Sequence, residues 1–450
     1  MLPFLNLPGS LLEILSAFRP CFTAPGFATF CGLVAGLAGQ PRRRTVTGML
    51  LGAGLARAWP HDRAHRFFAR ARWDPDDLGL AVARLAVLLL LPPGAALRVA
   101  VDDTVFRRSG PKVHGAGWQH DGSSPARDKV SYGCCFVVVA LLVRLPFCSR
   151  EVALPVLARL RLPGRYRRHR RRPDPALGPG TVEIAAALVA RLALAFPGRA
   201  VHAAADGAYH GPALRDLPGN VTWTSRIPRN AVLYDLAPPR TGRRGRPRVK
   251  GDPLGTPAAI AAAARWDPVT AVTYRGRRDA MRAAAVTCLW HGSWGARPVR
   301  LILARNPGTA AGYDLALVTT DLHASPAALI TRYAARWAIE QAFADARCVL
   351  GAGEARNRAP RAVERTVPFA LLASAITVIW YARHGHDPAA IAARRHDQPW
   401  YPAKTEPAFE DMLTSLRRTL ITARISGGNP SHPTPQQIQA VLTAWNAAAA

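Results

Sequence analysis

Carboxylates are scarce in this chain. Its 450 residues hold 29 Asp and Glu against 59 Lys and Arg, a formal net charge of +30. That imbalance favours a polyanionic partner such as nucleic acid. Lysine is scarcer still: Lys112, Lys129, Lys250 and Lys404 are the only ones, so nearly all the positive charge is guanidinium. Long apolar runs are also missing. The longest, at 132–143 and 85–91, fall well short of the ~20 residues that a membrane span needs. The opening MLPFLNLPGSLLEIL lacks the charged start and long apolar middle of a signal peptide. The expectation is therefore no transmembrane segment and no membrane partner. The seven cysteines are odd in number and form no C-x-x-C pair, which fits neither a disulfide framework nor a zinc module and predicts reduced thiols in a cytoplasmic, nucleoid-associated protein. With 49% hydrophobic residues the chain can bury a sizeable core spread over two or three domains.

What is present changes character along the chain. Residues 1–94 carry apolar residues at helical spacing around an Arg-rich stretch with interleaved aromatics. They read as a helical N-terminal, DNA-binding domain, or more blandly as a helical domain with a solvated basic face. From 95 to 217 the pattern is strand, a long β-branched apolar stretch taken as strands joined by a turn, a helix from Thr181 to Phe196 with Thr181 as its cap, and another strand. That order describes an α/β core. Residues 218–322 read as a mainly β insertion, whose most polar loop holds RGRP. Arg244 and Arg246 there resemble the arginines of an AT-hook, which enter the minor groove of A·T-rich DNA. Helical character returns at 323–385, and 386–450 is a linker followed by helices.

Two places concentrate chemistry. The strand Leu97–Val101 runs into Asp102, Asp103 and Thr104, and the strand from Ala200 runs into Asp206. Alternation puts Asp102 and Asp103 on opposite faces of their strand without saying which face matters. Over 330–350, read as one helix, Arg336, Glu340 and Arg347 fall within about 60° of Tyr333 on one side and Trp337 about 40° on the other, beside the face of Ile339, Phe343 and Leu350. A carboxylate between two guanidiniums at the margin of a core suits a phosphodiester substrate. A surface ion pair of Glu340 with Arg336 or Arg347 is the plainer alternative. Asp206 capping its DGAYHG turn and Trp337 as ordinary core are alternatives of the same kind. His114, His120 and Asp121 read as loop residues rather than ligands.

The segment YAARWAIEQAFADAR, 333–347, resembles the Y-x2-R-x3-E-x6-K signature of bacterial insertion-sequence transposases of the DDE superfamily, with Arg347 where Lys is usual. Arg347 keeps the charge but changes the donor geometry. The resemblance implies a ribonuclease H-like catalytic core interrupted by a β insertion. In that core the first strand ends in a catalytic Asp followed by Thr, a later strand ends in the second, and a helix after the insertion supplies the Glu. It thus assigns Asp103, Asp206 and Glu340 as catalytic residues and metal ligands, with Asp102 a neighbour. Two divalent ions, Mg2+ or else Mn2+, are implied, because paired ions activate a nucleophile and stabilise a leaving oxygen. Tyr333, Arg336 and Arg347 are implied to grip phosphates, and Trp337 to stack on an unpaired base. Double-stranded DNA is the implied partner, in a synaptic homodimer. A ribonuclease H-like nuclease or resolvase without strand transfer, and a domesticated DNA-binding protein lacking catalysis, are the competing readings.

Overall fold

A computed structural model describes residues 6–122, 129–163, 178–239, 248–273, 276–397, 400, 403–426, 435, 436, 438, 439 and 442. Helices α1 (Gly9–Ser16), α2 (Ala24–Gly39), α3 (Val46–Gly52), α4 (His61–Ala69) and α5 (Pro75–Leu90) come first. Strands β1 (Leu97–Arg107), β2 (Gly117–His120), β3 (Val130–Arg144) and β4 (Glu151–Arg161) follow, then helix α6 (Thr181–Leu194) and strands β5 (Val201–Ala205) and β6 (Val221–Arg226). Next are β7 (Leu233–Tyr234), β8 (Pro253–Gly255), α7 (Pro257–Ala263), β9 (Asp267–Val272), β10 (Arg278–Cys288), α8 (His291–Trp294), β11 (Val299–Arg305) and β12 (Leu315–Thr319). Helices α9 (Pro326–Ala335), α10 (Ala338–Cys348), α11 (Pro360–Trp380), α12 (Pro388–Asp397) and α13 (Phe409–Ser426) complete the described chain.

A mixed α/β architecture is built around one large sheet, ordered β2-β3-β1-β5-β6-β12-β11-β10-β9, with β4 also paired to β3. Strand β3 is antiparallel to both β4 and β1, whereas β5 runs parallel to β1 and β6 parallel to β5. The switch to parallel pairing follows from the connection, since α6 carries the chain back across the sheet before β5 begins. The stretch taken as two strands is one, because uninterrupted β-branched and small residues from Val130 to Arg144 hold β3 in a single 15-residue strand. The long strands of 218–322 do not form a sheet of their own: β6, β12, β11, β10 and β9 extend the central sheet, and among the described residues only β7 and β8 pair apart from it.

The N-terminal helices are capped as their sequence dictates. Thr23, Thr45 and Asp74 each accept a backbone N–H in the first turn of α2, α3 and α5, and Pro75 opens α5 at a position that needs no donor. Helix α6 departs from expectation: Gly180 occupies the cap and Thr181 lies inside the helix, with no side-chain cap bond. These N-terminal helices share one hydrophobic core with α11, α13 and the sheet. Phe67 and Phe68 meet Phe369 of α11 edge to face at 6.1 and 5.2 Å between ring centroids, and Trp73 stacks on Phe67 at 5.0 Å. Arg365, buried one turn before Phe369, donates to the carbonyls of Phe68, Ala71 and Trp73. The apolar segment 360–385 is long enough to cross a membrane, yet its hydrophobic window is 94% buried inside this core.

Candidate active site

Strand β1 does not end at its acids but runs on to Arg107, so Asp102 and Asp103 lie within it. Pairing with parallel β5 ends at Val101 opposite Ala205. The next residues, Asp102 within β1 and Asp206 just past the end of β5, therefore stand at the same level, beyond the last Val101–Ala205 rung. The antiparallel register with β3 passes through both acids without a bulge, Asp102 opposite Val138 and Asp103 opposite Val137. Unbroken alternation sends their side chains to opposite faces.

On one face stand α9 and α10. The segment 330–350 is not a continuous helix: α9 stops at Ala335, α10 starts at Ala338, and between them Arg336, Trp337, Ile339 and Glu340 donate backbone N–H bonds three residues back. Such tight turns narrow the helix and change its phase, so the expected stripe is redistributed. Arg336 turns inward and is 6% exposed, while neighbouring Trp337 remains 51% exposed. Arg336 Nη1 donates to Asp102 Oδ2 at 2.8 Å and Nη2 to Glu340 Oε1 at 3.2 Å. Asp206 acts on the same guanidinium through its charge. Arg347, rather than flanking Glu340, donates to Thr104 Oγ1 at 2.9 Å and ties the end of α10 to the strand two residues past Asp102. The Arg336 guanidinium also lies 5.6 Å from the Tyr333 ring centroid and 6.0 Å from that of Trp337.

On the other face, Asp103 accepts hydrogen bonds from Tyr209 Oη at 2.8 Å and Cys135 Sγ at 3.2 Å. Asp103, selected by the resemblance, is thus held away from Asp206 and Glu340, and Asp102 takes the place among them. The physical reason is the two-residue period of the pleat: two adjacent acids on a regular strand cannot face one site together. Asp206 is exposed at the end of β5, where its Oδ1 accepts the Gly207 N–H at 2.6 Å and caps its own turn. Capping that turn leaves its other carboxylate oxygen available for the site.

Burial pushes the Asp102 carboxyl up to about 7 against the pull of Arg336. Burial raises Glu340 as well, again opposed by Arg336 and reinforced by Asp206. Burial works against the Arg336 cation, but the surrounding charges, Asp102 foremost, outweigh it and raise its value. Buried Tyr209, beside Asp103, is held well above the ordinary phenol range and so stays a neutral donor.

Among the described residues no three His, Cys, Asp or Glu side chains are drawn together tightly enough to hold a metal ion as they stand. The donor set nonetheless suits a hard divalent cation, because Asp102, Asp206 and Glu340 offer carboxylate oxygens alone. Asp102 and Glu340 already share a cation, the Arg336 guanidinium, and Asp206 adds its charge to theirs. His114 contacts Glu364 at 3.6 Å and His120 sits on edge strand β2, so neither joins the acids. Arg244 and Arg246 lie outside the described residues. Sequence reasoning missed Thr104, Tyr209 and Cys135 as partners of this site; the only cue was Tyr209 three residues after Asp206.

Comparison with known proteins gives one family. Residues 17–288 match the model described as DDE superfamily endonuclease, a stretch that includes Asp102, Asp103 and Asp206 and stops before Glu340. No curated protein matches the chain.

Proposed function

Because the chain belongs to the DDE superfamily of endonucleases, we propose that it is a transposase that cuts and joins DNA at the ends of an insertion sequence. The observation that carries this reading is the meeting of Asp102, Asp206 and Glu340 around Arg336, on the face of the sheet that α9 and α10 cover. The strand order β4-β3-β1-β5-β6, antiparallel and then parallel, supports a ribonuclease H-like core beneath it. In this reading Asp102, Asp206 and Glu340 hold the metal ions, and Asp103 anchors the strand from behind. When bound, two divalent ions, Mg2+ or Mn2+, supply activation of the attacking water or 3′-hydroxyl and stabilise the leaving oxygen.

The remaining work falls to the chain's own side chains. In this reading Tyr333, Arg336 and Arg347 would offer phosphates of double-stranded DNA charge-assisted donors beside the acids. Exposed Trp337 presents an aromatic surface on which an unpaired base can stack. Thr104 receives Arg347 and so sets the distance between α10 and β1. Two element ends cut together imply a homodimer on the DNA.

Glu340→Gln is the test. It should leave binding of linear DNA within about twofold, since phosphate contacts carry the affinity, while abolishing divalent-metal-dependent strand cleavage. Cleavage that persisted in this variant would remove Glu340 from the catalytic set.

A further inference from the structure

The acid cluster contains a cation of its own. Arg336 is almost wholly buried, engages Asp102 and Glu340 through its two terminal nitrogens, and feels the charge of Asp206. We infer that Arg336 is an internal counter-ion that locks this site in the free protein, and that a DNA phosphate draws it away, so that metal and DNA are taken up together. The inference rests on reading Asp102, Asp206 and Glu340 as metal ligands.

Three features support it. First, Arg336 occupies one oxygen on each of two carboxylates that would hold a metal: Asp102 Oδ2 and Glu340 Oε1 both accept from it. Its positive charge also repels an incoming divalent ion. Second, the guanidinium is incompletely satisfied. Its Nε is buried and, among the described residues, has no hydrogen-bond partner. A phosphate can take two donors of one guanidinium at once, a better match to the planar fork than one oxygen from each of two separate carboxylates. Third, Arg336 lies at a break in the helix. It sits in the tight turns between α9 and α10, a mid-helix interruption of the kind that marks hinges, next to half-exposed Trp337.

The lock makes a prediction of opposite sign to a merely structural ion pair. If Arg336 only positioned Asp102 and Glu340, removing its charge would loosen them and weaken metal binding. If it competes with metal, removing its charge strengthens metal binding. Reciprocity then requires that DNA raise metal affinity by the factor by which metal raises DNA affinity.

The experiment is Mn2+ binding to the full-length, metal-free protein, read from the free-ion electron paramagnetic resonance signal, with and without a short DNA duplex. Without DNA, Arg336→Gln should bind Mn2+ about tenfold more tightly than the wild type, and Arg336→Lys, which keeps the charge, should stay close to the wild type. Duplex DNA should tighten Mn2+ binding to the wild type by about tenfold and to Arg336→Gln by distinctly less. Equal or weaker Mn2+ binding by Arg336→Gln overturns the lock. Should that variant not fold, a wild type whose Mn2+ affinity ignores DNA overturns it equally. Glu340→Gln separates the two levels: if it binds Mn2+ as the wild type does in the presence of DNA, the ligand assignment itself fails, whatever Arg336 does.

Discussion

The Tyr209 hydroxyl donates to Asp103 Oδ1 at 2.8 Å, joining the turn after β5 to the middle of β1 on the face opposite the acid cluster. Trp223 Nε1 in turn donates to the Tyr209 carbonyl at 3.3 Å. Asp206 leads that turn and Asp102 precedes Asp103, so this bond fixes how far apart two of the three acids stand. Tyr209→Phe should cost about 1 kcal/mol of stability, because it leaves a half-buried carboxylate short of a donor. Urea unfolding measures this. A loss below about 0.5 kcal/mol would mean that Asp103 is satisfied without Tyr209.

Arg365 makes a second, independent prediction. Its guanidinium stacks 4.7 Å from the Trp73 ring and serves three carbonyls at the end of the N-terminal helices, while burial lowers its pKa to about 10. Arg365→Met keeps the stem but removes every donor, and should destabilise the protein by at least about 3 kcal/mol. Thermal unfolding followed by circular dichroism reads this as a fall in Tm of a single transition, since the helices and sheet share a core. Two transitions with only one shifted would show that the N-terminal helices unfold as a separate unit.

Thiol reactivity follows from burial. Burial pushes Cys31 and Cys135 up to about 12 and Cys288 up to about 11, so at pH 8 each is a protonated, enclosed thiol, whereas Cys348 is exposed. Iodoacetamide at pH 8 should label Cys348 in native protein long before those three, which react only on unfolding; peptide mass spectrometry gives the order. Prompt labelling of Cys135 would contradict the packing of β3 behind Asp103.

Much of this was legible in the sequence. The α/β character, the level of Asp206 at the end of its strand, and the proximity of Arg336 and Glu340 all follow from apolar period and spacing. The choice between Asp102 and Asp103 was not, because alternation separates two adjacent acids but does not say which face receives α9 and α10. The break at Arg336–Trp337 was equally hidden: YAARWAIE holds no Gly or Pro, and the tight turns coincide with Arg336 turning inward to Asp102, which is distant in sequence. The strands of 218–322 read correctly as strands, yet local pattern could not reveal that β12 pairs with β6 and so extends the central sheet.

In the proposed site Asp102, rather than Asp103, works with Asp206 and Glu340. The direct measurement is Mn2+-dependent nicking of supercoiled plasmid by Asp102→Asn and Asp103→Asn, each checked for native unfolding. Asp102→Asn should lose at least about 10²-fold in cleavage rate, as removal of one essential charge from such a site does. Asp103→Asn, which still offers Tyr209 an acceptor, should retain measurable cleavage. Abolished cleavage in Asp103→Asn with activity kept in Asp102→Asn would contradict the account and return the catalytic role to the residue that directly precedes Thr104.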